Sequence, residues 1–375
     1  MSQSIFKVKK GYPIGLIDAD LLDNGTRHPN LALMKISGYF KESGLETVLL
    51  HDYSEIENFQ KVFISKVFSF TNTPEFGVKK NVIIGGTGFF QDGGKDLPNE
   101  IEHHMPDYNL YNSYINNMIK NGQRREYYKD YLNYSIGFTT RGCFRKCDFC
   151  VNKKYNKVYL HSPVREFLDE NRKGIYLWDD NIFGFDKWEN VFDDIESTGK
   201  PFQFRQGLDI RLLNERKARR LSLAKYIGDY IFAFDHIKDR ELIERKLKIW
   251  KNYSNKTTKL YLLCGYTSVD HVDIYNTFER IRILMKFGCL PYIMRYQNYK
   301  KSEYRTLYIT IARWCNQPKF FKKMSFREFC LANQKYHKNP NTLCSALKSL
   351  NYFESKFPDI AKKYFDLKFE NLSLY

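Results

Sequence analysis

The sequence lacks the features that mark membrane-spanning and secreted proteins. No run of about 18 apolar residues occurs among its 375 residues, so no membrane-spanning helix is predicted. Residues 1–6 contain no apolar signal-peptide core. The eight cysteines comprise three clustered and five scattered residues, a distribution unlike a disulfide framework. We therefore expect a cytoplasmic protein that does not bind a membrane.

Positive charge and aromatic residues are abundant. The formal net charge is +17, and aromatic residues make up 17% of the chain. Lys and Arg neutralise phosphates and aromatic rings stack on bases, so a nucleic-acid partner is one interpretation. The other is compositional, because an AT-rich genome encodes the same richness in Lys, Asn, Ile, Tyr and Phe. Both interpretations stay open at this stage.

Three cysteines, Cys143, Cys147 and Cys150, follow a β-prone run at residues 134–140 with C-x3-C-x2-C spacing. Thiolates are soft ligands for iron–sulfur clusters or zinc, and such short spacers let one loop surround a single metal centre. Three ligands leave one corner of a four-iron cluster open to a small molecule. A zinc site completed by a histidine such as His161 is an alternative, although its spacing is unlike the common zinc patterns. Isolated buried thiols are a third interpretation.

The cysteine spacing, with Phe149 directly before the third cysteine, resembles the signature of the radical S-adenosylmethionine (SAM) superfamily. The resemblance implies that the three cysteines hold a [4Fe–4S] cluster, that SAM chelates the open iron, and that Phe149 packs near the adenine. In this superfamily, electron transfer from the cluster splits SAM into methionine and a 5′-deoxyadenosyl radical, which abstracts hydrogen from a substrate. A reducing partner such as flavodoxin or ferredoxin is implied as well.

The first 110 residues combine short apolar runs with a polar loop at 20–29 and an amphipathic helix that begins at Asn30. The runs lie at 12–18, 47–51, 61–68 and 81–86. Together they predict a parallel sheet with helical crossovers. The segment resembles the Rossmann-like domain that precedes the barrel in cobalamin-binding radical SAM enzymes. Residues 111–132 are polar and basic, and we expect them to form a solvated linker.

The N-terminal segment differs from one common cobalamin-binding pattern, because it has no D-x-H-x-x-G motif. No histidine is therefore marked as a lower cobalt ligand, and whether cobalamin binds stays open. The turn Gly85-Gly86-Thr87-Gly88 either lets a ligand approach the backbone or is simply a tight turn. No cysteine precedes Cys143, which argues against the methylthiotransferases, whose corresponding domain carries its own cluster.

Residues 133–300 alternate regularly between strands and helices. Apolar strands are predicted at 133–139, 174–179, 201–206, 229–235, 259–264 and 290–295. Amphipathic helices are predicted near 163–171, 186–198, 214–225, 238–252 and 271–287. This pattern matches the partial (β/α)6 barrel of the radical SAM superfamily. Residues 301–375 are basic and helical in pattern, and we expect them to cap the core or to engage the substrate.

Polar residues and a glycine follow four of the predicted barrel strands, where parallel β/α proteins collect their functional groups. They are Asp179, Asp180, Gln206, Asp209, Arg211, Asp235 and Gly265. Asp179 and Asp180 suit the SAM ammonium, with a helix-capping turn as the alternative. Arg211 suits the SAM carboxylate, with an ion pair to Asp209 as the alternative. Gln206 and Asp209 suit ribose hydroxyls or substrate, Asp235 is a predicted SAM contact, and Gly265 allows close approach of the adenine.

The sequence therefore predicts an α/β protein with four parts. They are a Rossmann-like parallel-sheet domain (1–110), a linker (111–132), a partial (β/α)6 radical SAM barrel (133–300) and a basic helical C-terminal region (301–375). The resemblance implies a radical SAM enzyme, with cobalamin-dependent methyl transfer and hydrogen abstraction as the two chemistries. A nucleic-acid-binding protein with a structural metal at the three cysteines is the alternative. The sequence marks no catalytic residue and no substrate, and its basic charge is compatible with RNA, DNA or an acidic metabolite.

Overall fold

The strands and helices of this chain are described for most of its length by a computed structural model. The described residues are 6, 8, 11–76, 79–91, 93–339 and 341–375. Residues 1–5, most of the segment that lacks a signal-peptide core, lie outside them. The chain divides into two units, Met1–Phe202 and Gln203–Tyr375.

Four parallel strands form the N-terminal sheet of the first unit. They are β1 (Ile14–Asp18), β2 (Thr47–Leu49), β3 (Lys61–Ser65) and β4 (Val82–Gly85), in the order β2-β1-β3-β4. Every residue of β1 is buried, which explains why its sequence is continuously apolar up to Asp18. All four strands lie within the apolar runs that predicted them.

Helices connect these strands and lead on to the barrel. They are α1 (Ala19–Asn24), α2 (Leu31–Glu42), α3 (Asn99–Glu102), α4 (Asn112–Lys120) and α5 (Lys129–Asn133). Asn30 caps α2 by accepting a hydrogen bond from the Leu33 N–H, as expected for the predicted helix start. The polar loop predicted at 20–29 is wrong in its first half, because Asp18 accepts from the Leu21 N–H and caps a short helix there.

The two central strands of the N-terminal sheet, β1 and β3, are buried on both faces. Leu16 belongs to a core cluster with residues of α2, whereas its neighbour Ile17 belongs to a second cluster. Successive strand residues point to opposite faces, so a doubly covered strand must be apolar at every position.

Residues 111–132 contribute to this core. Tyr111, Ile115, Tyr128 and Tyr131 are buried and belong to the same cluster as Leu16. The predicted solvated character is therefore wrong at these four positions, because their aromatic and apolar side chains turn inward from a charged surface. The domain boundaries at 110 and 132 stay predictions.

Five further strands begin in the first unit, and two of them flank the cysteine loop. They are β5 (Tyr134–Gly137), β6 (Thr140–Arg141), β7 (Tyr159–Leu160), β8 (Gly174–Leu177) and β9 (Phe202–Phe204). β5 pairs with β8 in parallel, and β6 pairs with β7 in an antiparallel ribbon. Helix α6 (Trp188–Ser197) follows β8 as predicted.

The helix predicted near 163–171 is wrong. Only a 3-10 turn forms there, at Val164–Glu166. The Asp169 N–H donates to Ser135 Oγ at 2.9 Å instead of to a helical carbonyl, so the segment is held against β5 in an irregular conformation.

Three parallel strands form the sheet of the second unit. They are β10 (Tyr230–Ala233), β11 (Thr258–Cys264) and β12 (Leu290–Arg295), in this order. Leu208, shortly after β9, makes a parallel bridge to Phe232 of β10. Helices α7 (Glu215–Leu223), α8 (Arg240–Lys251) and α9 (His271–Lys286) alternate with the strands. All six predicted barrel strands are therefore confirmed.

Helices occupy most of the C-terminal region. They are α10 (Arg305–Cys315), α11 (Pro318–Phe321), α12 (Phe326–Lys335), α13 (Ser345–Lys356), α14 (Pro358–Tyr364) and α15 (Phe369–Leu372). The ring centroid of Phe278 on α9 lies 5.3 Å from that of Phe326 and 5.1 Å from that of Phe365. The region therefore caps the core of the second unit, which is one of its two predicted roles.

The fold class is the predicted one. It is α/β, with an N-terminal Rossmann-like parallel sheet, a partial (β/α)6 barrel and a helical C-terminal extension. Within the part of the chain that the structure describes, no helix has the length and apolar character needed to cross a membrane.

Asp18, at the carboxyl end of β1, is a buried acid whose two oxygens have partners. Oδ1 accepts from the Leu21 N–H at 3.1 Å, and Oδ2 accepts from the Tyr111 hydroxyl at 2.8 Å. Burial raises the pKa of Asp18 from 3.8 to about 7, although both hydrogen bonds oppose the rise. The folded state thus holds this proton more tightly than the unfolded state. The resulting stability is present below about pH 4 and is lost as pH rises to about 7.

We predict that Asp18→Asn removes this pH dependence. Asn is also a good helix cap but does not ionise, so the variant's free energy of unfolding should rise relative to wild type by about 3 to 4 kcal/mol between pH ~4 and ~8. Urea denaturation followed by circular dichroism measures the difference. Asp52→Asn is the matched control, because Asp52 also caps a helix but is exposed, and its pKa is lowered by the Ser54 N–H. An equal rise in both variants would contradict the role of burial.

Candidate metal and cofactor site

The cysteine loop leaves β6 and returns at β7, so the antiparallel ribbon closes it. Cys143, Cys147 and Cys150 are half-buried, and none of these three described residues forms a disulfide. The Cys150 N–H donates to the Cys147 carbonyl at 2.9 Å and forms a tight turn between these two residues. The Lys146 ammonium donates to the Lys153 carbonyl at 2.6 Å, which ties the return path of the loop to its centre.

Two of the sulfurs accept hydrogen bonds from nitrogen. Cys143 Sγ accepts from the Arg145 N–H at 3.3 Å and from Asn181 Nδ2 at 3.3 Å. Cys150 Sγ accepts from the Asn152 N–H at 3.4 Å. Such donors favour the thiolate that binds a metal, and they tune the reduction potential of iron–sulfur clusters.

Burial opposes ionisation of the Cys150 thiol in the absence of a cation. It raises the pKa of Cys150, and the neighbouring Cys147 and Cys143 raise it further, whereas the Asn152 N–H lowers it. Metal binding releases thiol protons and supplies the missing positive charge. The donor set therefore fits a thiolate-ligated metal centre.

Zinc ligation by the three cysteines and His161 has no support. His161 Nε2 lies 3.2 Å from Glu102 Oε1, and its Nδ1 lies 2.9 Å from Ser162 Oγ, so both ring nitrogens have other partners. Among the described residues, no group of three or more His, Cys, Asp or Glu side chains could hold a metal ion. A four-iron cluster is wider than one ion, so its thiolates need not converge on one point.

Asp179, just after β8, holds the entry to the cysteine loop. Its Oδ1 accepts from the Thr139 hydroxyl at 2.6 Å and from the Thr140 N–H and hydroxyl at 2.6 and 2.7 Å. Burial raises the pKa of Asp179, and these hydrogen bonds oppose the rise. The carboxyl group thus serves as a brace, and its predicted contact with SAM stays a prediction.

Asp180 holds both sides of the loop. Its Oδ2 accepts from the Gly142 N–H at 2.7 Å, directly before the first cysteine. Its Oδ1 accepts from Asn152 Nδ2 at 2.5 Å, beyond the third cysteine. Arg141 Nε lies 3.9 Å from Oδ2. One carboxylate therefore ties the beginning of the loop to its end.

Asn181 completes this polar triplet, and the sequence pattern did not single it out. It is 4% exposed, and its Nδ2 donates to Cys143 Sγ. Its Oδ1 is buried and has no hydrogen-bond partner among the described residues. A buried acceptor left unpaired costs about 1 to 3 kcal/mol, so this oxygen is a candidate contact for a ligand donor. The available signal was its place as the third polar residue after a barrel strand.

In the second unit, Arg211 is paired with Asp209. Its Nε donates to Asp209 Oδ1 at 2.7 Å and its Nη2 to Oδ2 at 3.2 Å, while Nη1 donates to Asp239 Oδ2 at 3.3 Å. The ion pair that the sequence left as an alternative is therefore present. Gln206 is exposed. The contacts predicted between these residues and SAM stay predictions.

Asp235, just after β10, has a buried oxygen without a described partner. This oxygen is Oδ1, and it accepts no hydrogen bond from any described residue. Burial raises the pKa of Asp235 from 3.8 to about 6, and the charges of Arg280 and Arg211 oppose the rise. A carboxyl group whose pKa burial raises toward neutral pH, and whose Oδ1 has no partner among the described residues, is a candidate ligand contact.

Arg280 on α9 braces two strand ends and was missed by the sequence pattern. It is 2% exposed, and its guanidinium donates to the carbonyls of Phe234 at 3.0 Å, Asp235 at 2.7 Å and Leu263 at 2.9 Å. One buried cation thus satisfies carbonyl groups at the ends of β10 and β11. The available signal was an arginine on the apolar face of an amphipathic helix.

Gly265, after β11, is closely packed by protein atoms. Its N–H donates to Asp273 Oδ2 at 2.7 Å, and the Tyr308 hydroxyl donates to the same oxygen at 2.8 Å. Its φ is +69°, and a Cβ atom there would lie 3.0 Å from Tyr299 Cβ. The surroundings therefore account for the glycine, and its predicted contact with adenine stays a prediction.

Each unit groups part of the predicted site. The first unit brings the three cysteines beside Asp180 and Asn181, and Phe149 is half-buried in the same loop. The second unit places Asp235 within the electrostatic influence of Arg211 and Asp209. The sequence patterns located these residues at strand ends, and the structure supplies their partners.

Two solved structures of the radical S-adenosylmethionine methyltransferase TsrM from Kitasatospora setae are similar to this chain. One, with cobalamin and a [4Fe–4S] cluster bound, shows 12% sequence identity and a TM-score of 0.49, covering 76% of this chain and 75% of that chain. The other, with tryptophan substrate and the SAM analogue aza-SAM bound, shows 12% identity and a TM-score of 0.50, covering 76% and 73%. At this identity, the latter similarity shows a shared fold alone. No protein-family model matches the chain, and no curated protein matches its sequence.

We predict that Gly142→Ala opens the cysteine loop. Gly142 has φ +89°, and a Cβ atom there would lie 2.4 Å from the Lys157 carbonyl oxygen. Gly122 has φ +88° with no atom within 4 Å, so Gly122→Ala carries the same backbone strain without the overlap. Overpacking costs about 1 to 3 kcal/mol, so alkylation of the loop cysteines should accelerate about tenfold in Gly142→Ala alone. Mass spectrometry of iodoacetamide-treated apoprotein measures the rates, and equal rates in both variants would contradict the packing argument.

Proposed function

We propose that this chain is a radical SAM enzyme whose Cys143, Cys147 and Cys150 hold a [4Fe–4S] cluster. The observation that carries the proposal is the cysteine loop itself. It presents three half-buried thiols at C-x3-C-x2-C spacing, with nitrogen donors at two sulfurs. The loop follows β5, the first barrel strand, where β/α proteins place their active sites.

The chain's own residues bind and orient the groups of this site. A cluster with one open iron, when bound, supplies the electron that cleaves SAM. Asp180 and Lys146 hold the loop closed so that the three thiolates are presented together. The N–H groups of Arg145 and Asn152 stabilise the negative charge on sulfur.

Asn181 is the strongest candidate contact for the SAM ammonium in the first unit. Its Oδ1 is a buried acceptor that lacks a donor among the described residues. Asp179 and Asp180 accept hydrogen bonds from the cysteine loop, so they act by holding the loop. Phe149 in the same loop is proposed to pack near the adenine.

The second unit offers further proposed SAM contacts. Asp235 Oδ1 has no hydrogen-bond partner within the described part of the chain, which suits a ligand hydroxyl or ammonium group. Arg211 suits the SAM carboxylate if that group replaces part of its contact with Asp209. Gln206 and Gly265 are proposed as contacts on the weaker ground of their positions after β9 and β11.

A surface on the N-terminal sheet suits cobalamin. Phe68 and Phe70 follow β3, are 43% and 65% exposed, and stack with ring centroids 5.2 Å apart. Ile84 of β4 and Phe90, five residues after β4, are 38% and 37% exposed. Exposed apolar side chains clustered at the carboxyl edge of a parallel sheet suit a broad, partly apolar cofactor better than a phosphate group.

The loop that carries these rings is held in place by a buried acid. Asp20 Oδ2 accepts from the Val67 N–H at 2.6 Å, and Oδ1 accepts from the Thr71 hydroxyl at 2.5 Å. Gly86 packs against Lys66, since a Cβ atom there would lie 2.3 Å from the Lys66 carbonyl oxygen, which favours the tight-turn interpretation of the glycine sequence. Residues 61–98 contain no histidine, so cobalamin would bind without a lower ligand from these loops.

Methyl transfer with cobalamin is the reaction class that these features favour, with hydrogen abstraction as the second. The TsrM structures bear on this choice because that methyltransferase shares the fold and binds cobalamin. A reducing partner such as flavodoxin or ferredoxin would supply the electron. None of the eight cysteines, all within the described residues, forms a disulfide, which suits the reducing cytoplasm. The charge of +17 keeps nucleic acids and acidic metabolites as proposed substrate classes.

The test is anaerobic reconstitution with iron and sulfide, followed by SAM and a reductant. Wild type should bind about four irons and four sulfides per chain and absorb visible light that bleaches on reduction. It should convert SAM to 5′-deoxyadenosine or S-adenosylhomocysteine, measured by mass spectrometry. Cys147→Ala should lose both properties. Cys289→Ala, a buried thiol in the second unit, should keep them. One zinc per chain without sulfide would overturn the proposal and favour a nucleic-acid-binding protein with a structural metal.

The cobalamin surface predicts a separate result. Phe70→Asp should weaken hydroxocobalamin binding about tenfold or more, because it places a charge on the apolar surface. Leu223→Asp is the matched control, since Leu223 is 75% exposed on α7 and far from β3 in sequence. Equilibrium dialysis measures both affinities. Equal affinities in the two variants would show that cobalamin does not use this surface.

A further inference from the structure

We propose that Asn181 is a positioning residue that holds Cys143 and raises the reduction potential of the cluster bound there. Its Nδ2 donates to Cys143 Sγ at 3.3 Å. The inference rests on the proposed cluster and adds to it a residue that controls the electron transfer. Asn181 lies outside the cysteine loop in sequence, so the contact links the end of β8 to a cluster ligand.

The Asn181 side chain does not make the capping hydrogen bond that an Asn side chain usually makes at the start of a helix. It stands at the N-cap of the 3-10 helix Ile182–Gly184, where an Asn side chain normally accepts a hydrogen bond from the backbone. No such side-chain bond is made here; the Gly184 N–H is satisfied by the Asn181 backbone carbonyl at 2.9 Å. The amide is therefore turned away from its cap and toward the sulfur.

The Asn181 side-chain amide is buried and closely packed by its neighbours. Asn181 is 4% exposed, and a Cβ atom at Gly184 would lie 3.4 Å from Asn181 Cγ and 2.8 Å from Phe144 Cε1. The first of these distances is an ordinary van der Waals contact, so Gly184 packs directly against the Asn181 side chain. A buried side chain in fixed packing loses little additional entropy when it donates to sulfur, so its hydrogen bond acts at full strength.

A hydrogen bond between the residues that precede Cys143 and Asn181 also fixes the contact between these two side chains. Asp180 accepts from the Gly142 N–H at 2.7 Å, immediately before Cys143. The residue that donates to the sulfur and the residue that holds the loop are thus adjacent in sequence. A shift of Cys143 relative to Asn181 would have to break the Asp180 contact as well.

The hydrogen bond from Asn181 should raise the midpoint potential of the cluster. Reduction adds negative charge to a cluster and its thiolates, so an N–H donor at sulfur stabilises the reduced form more than the oxidised form. Loss of the donor should therefore shift the midpoint potential to more negative values. Replacement of the amide by a carboxylate should shift it further, because a negative charge then lies beside the same sulfur.

The experiment compares Asn181→Leu and Asn181→Asp with wild type and with Asn190→Leu. Asn190 is exposed on α6, so its variant makes the same chemical change outside the site. Each protein is reconstituted, its iron and sulfide are counted, and the reduced cluster is followed by electron paramagnetic resonance at poised potentials without SAM. At the wild-type midpoint, the ratio of reduced to oxidised cluster should fall about fivefold in Asn181→Leu and further in Asn181→Asp. Asn190→Leu should match wild type.

The outcomes separate this inference from the proposed function. A wild-type protein that assembles no cluster overturns the proposed function and the inference together. A loaded wild type with unshifted potentials in both Asn181 variants overturns the inference alone. Loss of iron from both Asn181 variants, with Asn190→Leu loaded, also overturns it, because Asn181 would then serve assembly and not the potential. Loaded variants with potentials in the predicted order support it.

Discussion

Hydrogen bonds from the cysteine loop to the residues after β8 are the constraint on which the candidate site depends. Asp179 receives the loop entry through Thr140, and Asp180 receives it through Gly142. Two adjacent carboxylates thereby attach an irregular loop to the end of a buried strand. The sheet fixes the carboxyl end of β8. Attachment to this end therefore restricts the positions of the cysteine thiols.

The buried charged groups of the second unit are likewise held by hydrogen bonds. The Arg280 guanidinium donates to carbonyl groups at two strand ends, and Asp273 accepts from the Gly265 N–H and the Tyr308 hydroxyl. Against this background of satisfied groups, unpaired buried oxygens are informative, because native proteins rarely leave them so. Those of Asn181 and Asp235 both follow barrel strands, where ligands of β/α proteins bind.

The N-terminal sheet shows a different balance between core and surface. Its central strands β1 and β3 are covered on both faces, yet aromatic side chains such as Phe68 and Phe70, which follow β3, remain exposed. These side chains lie outside the buried core, and exposed apolar clusters of this kind mark binding surfaces. The loop that carries them is braced by Asp20, so the surface is held by buried polar contacts and not by apolar packing alone.

Local sequence decided the strands, most of the helices and the cysteine loop, because periodicity and short spacing depend on near neighbours along the chain. The six barrel strands and the start of the helix at Asn30 followed from this information. The 3-10 turn at Val164–Glu166 did not, because Ser135 captures the Asp169 N–H from a distant strand. The roles of Asn181 and Arg280 likewise became evident only from the tertiary structure. Their partners lie far away in sequence, and the strength of a buried polar contact depends on which groups the fold brings within hydrogen-bonding distance.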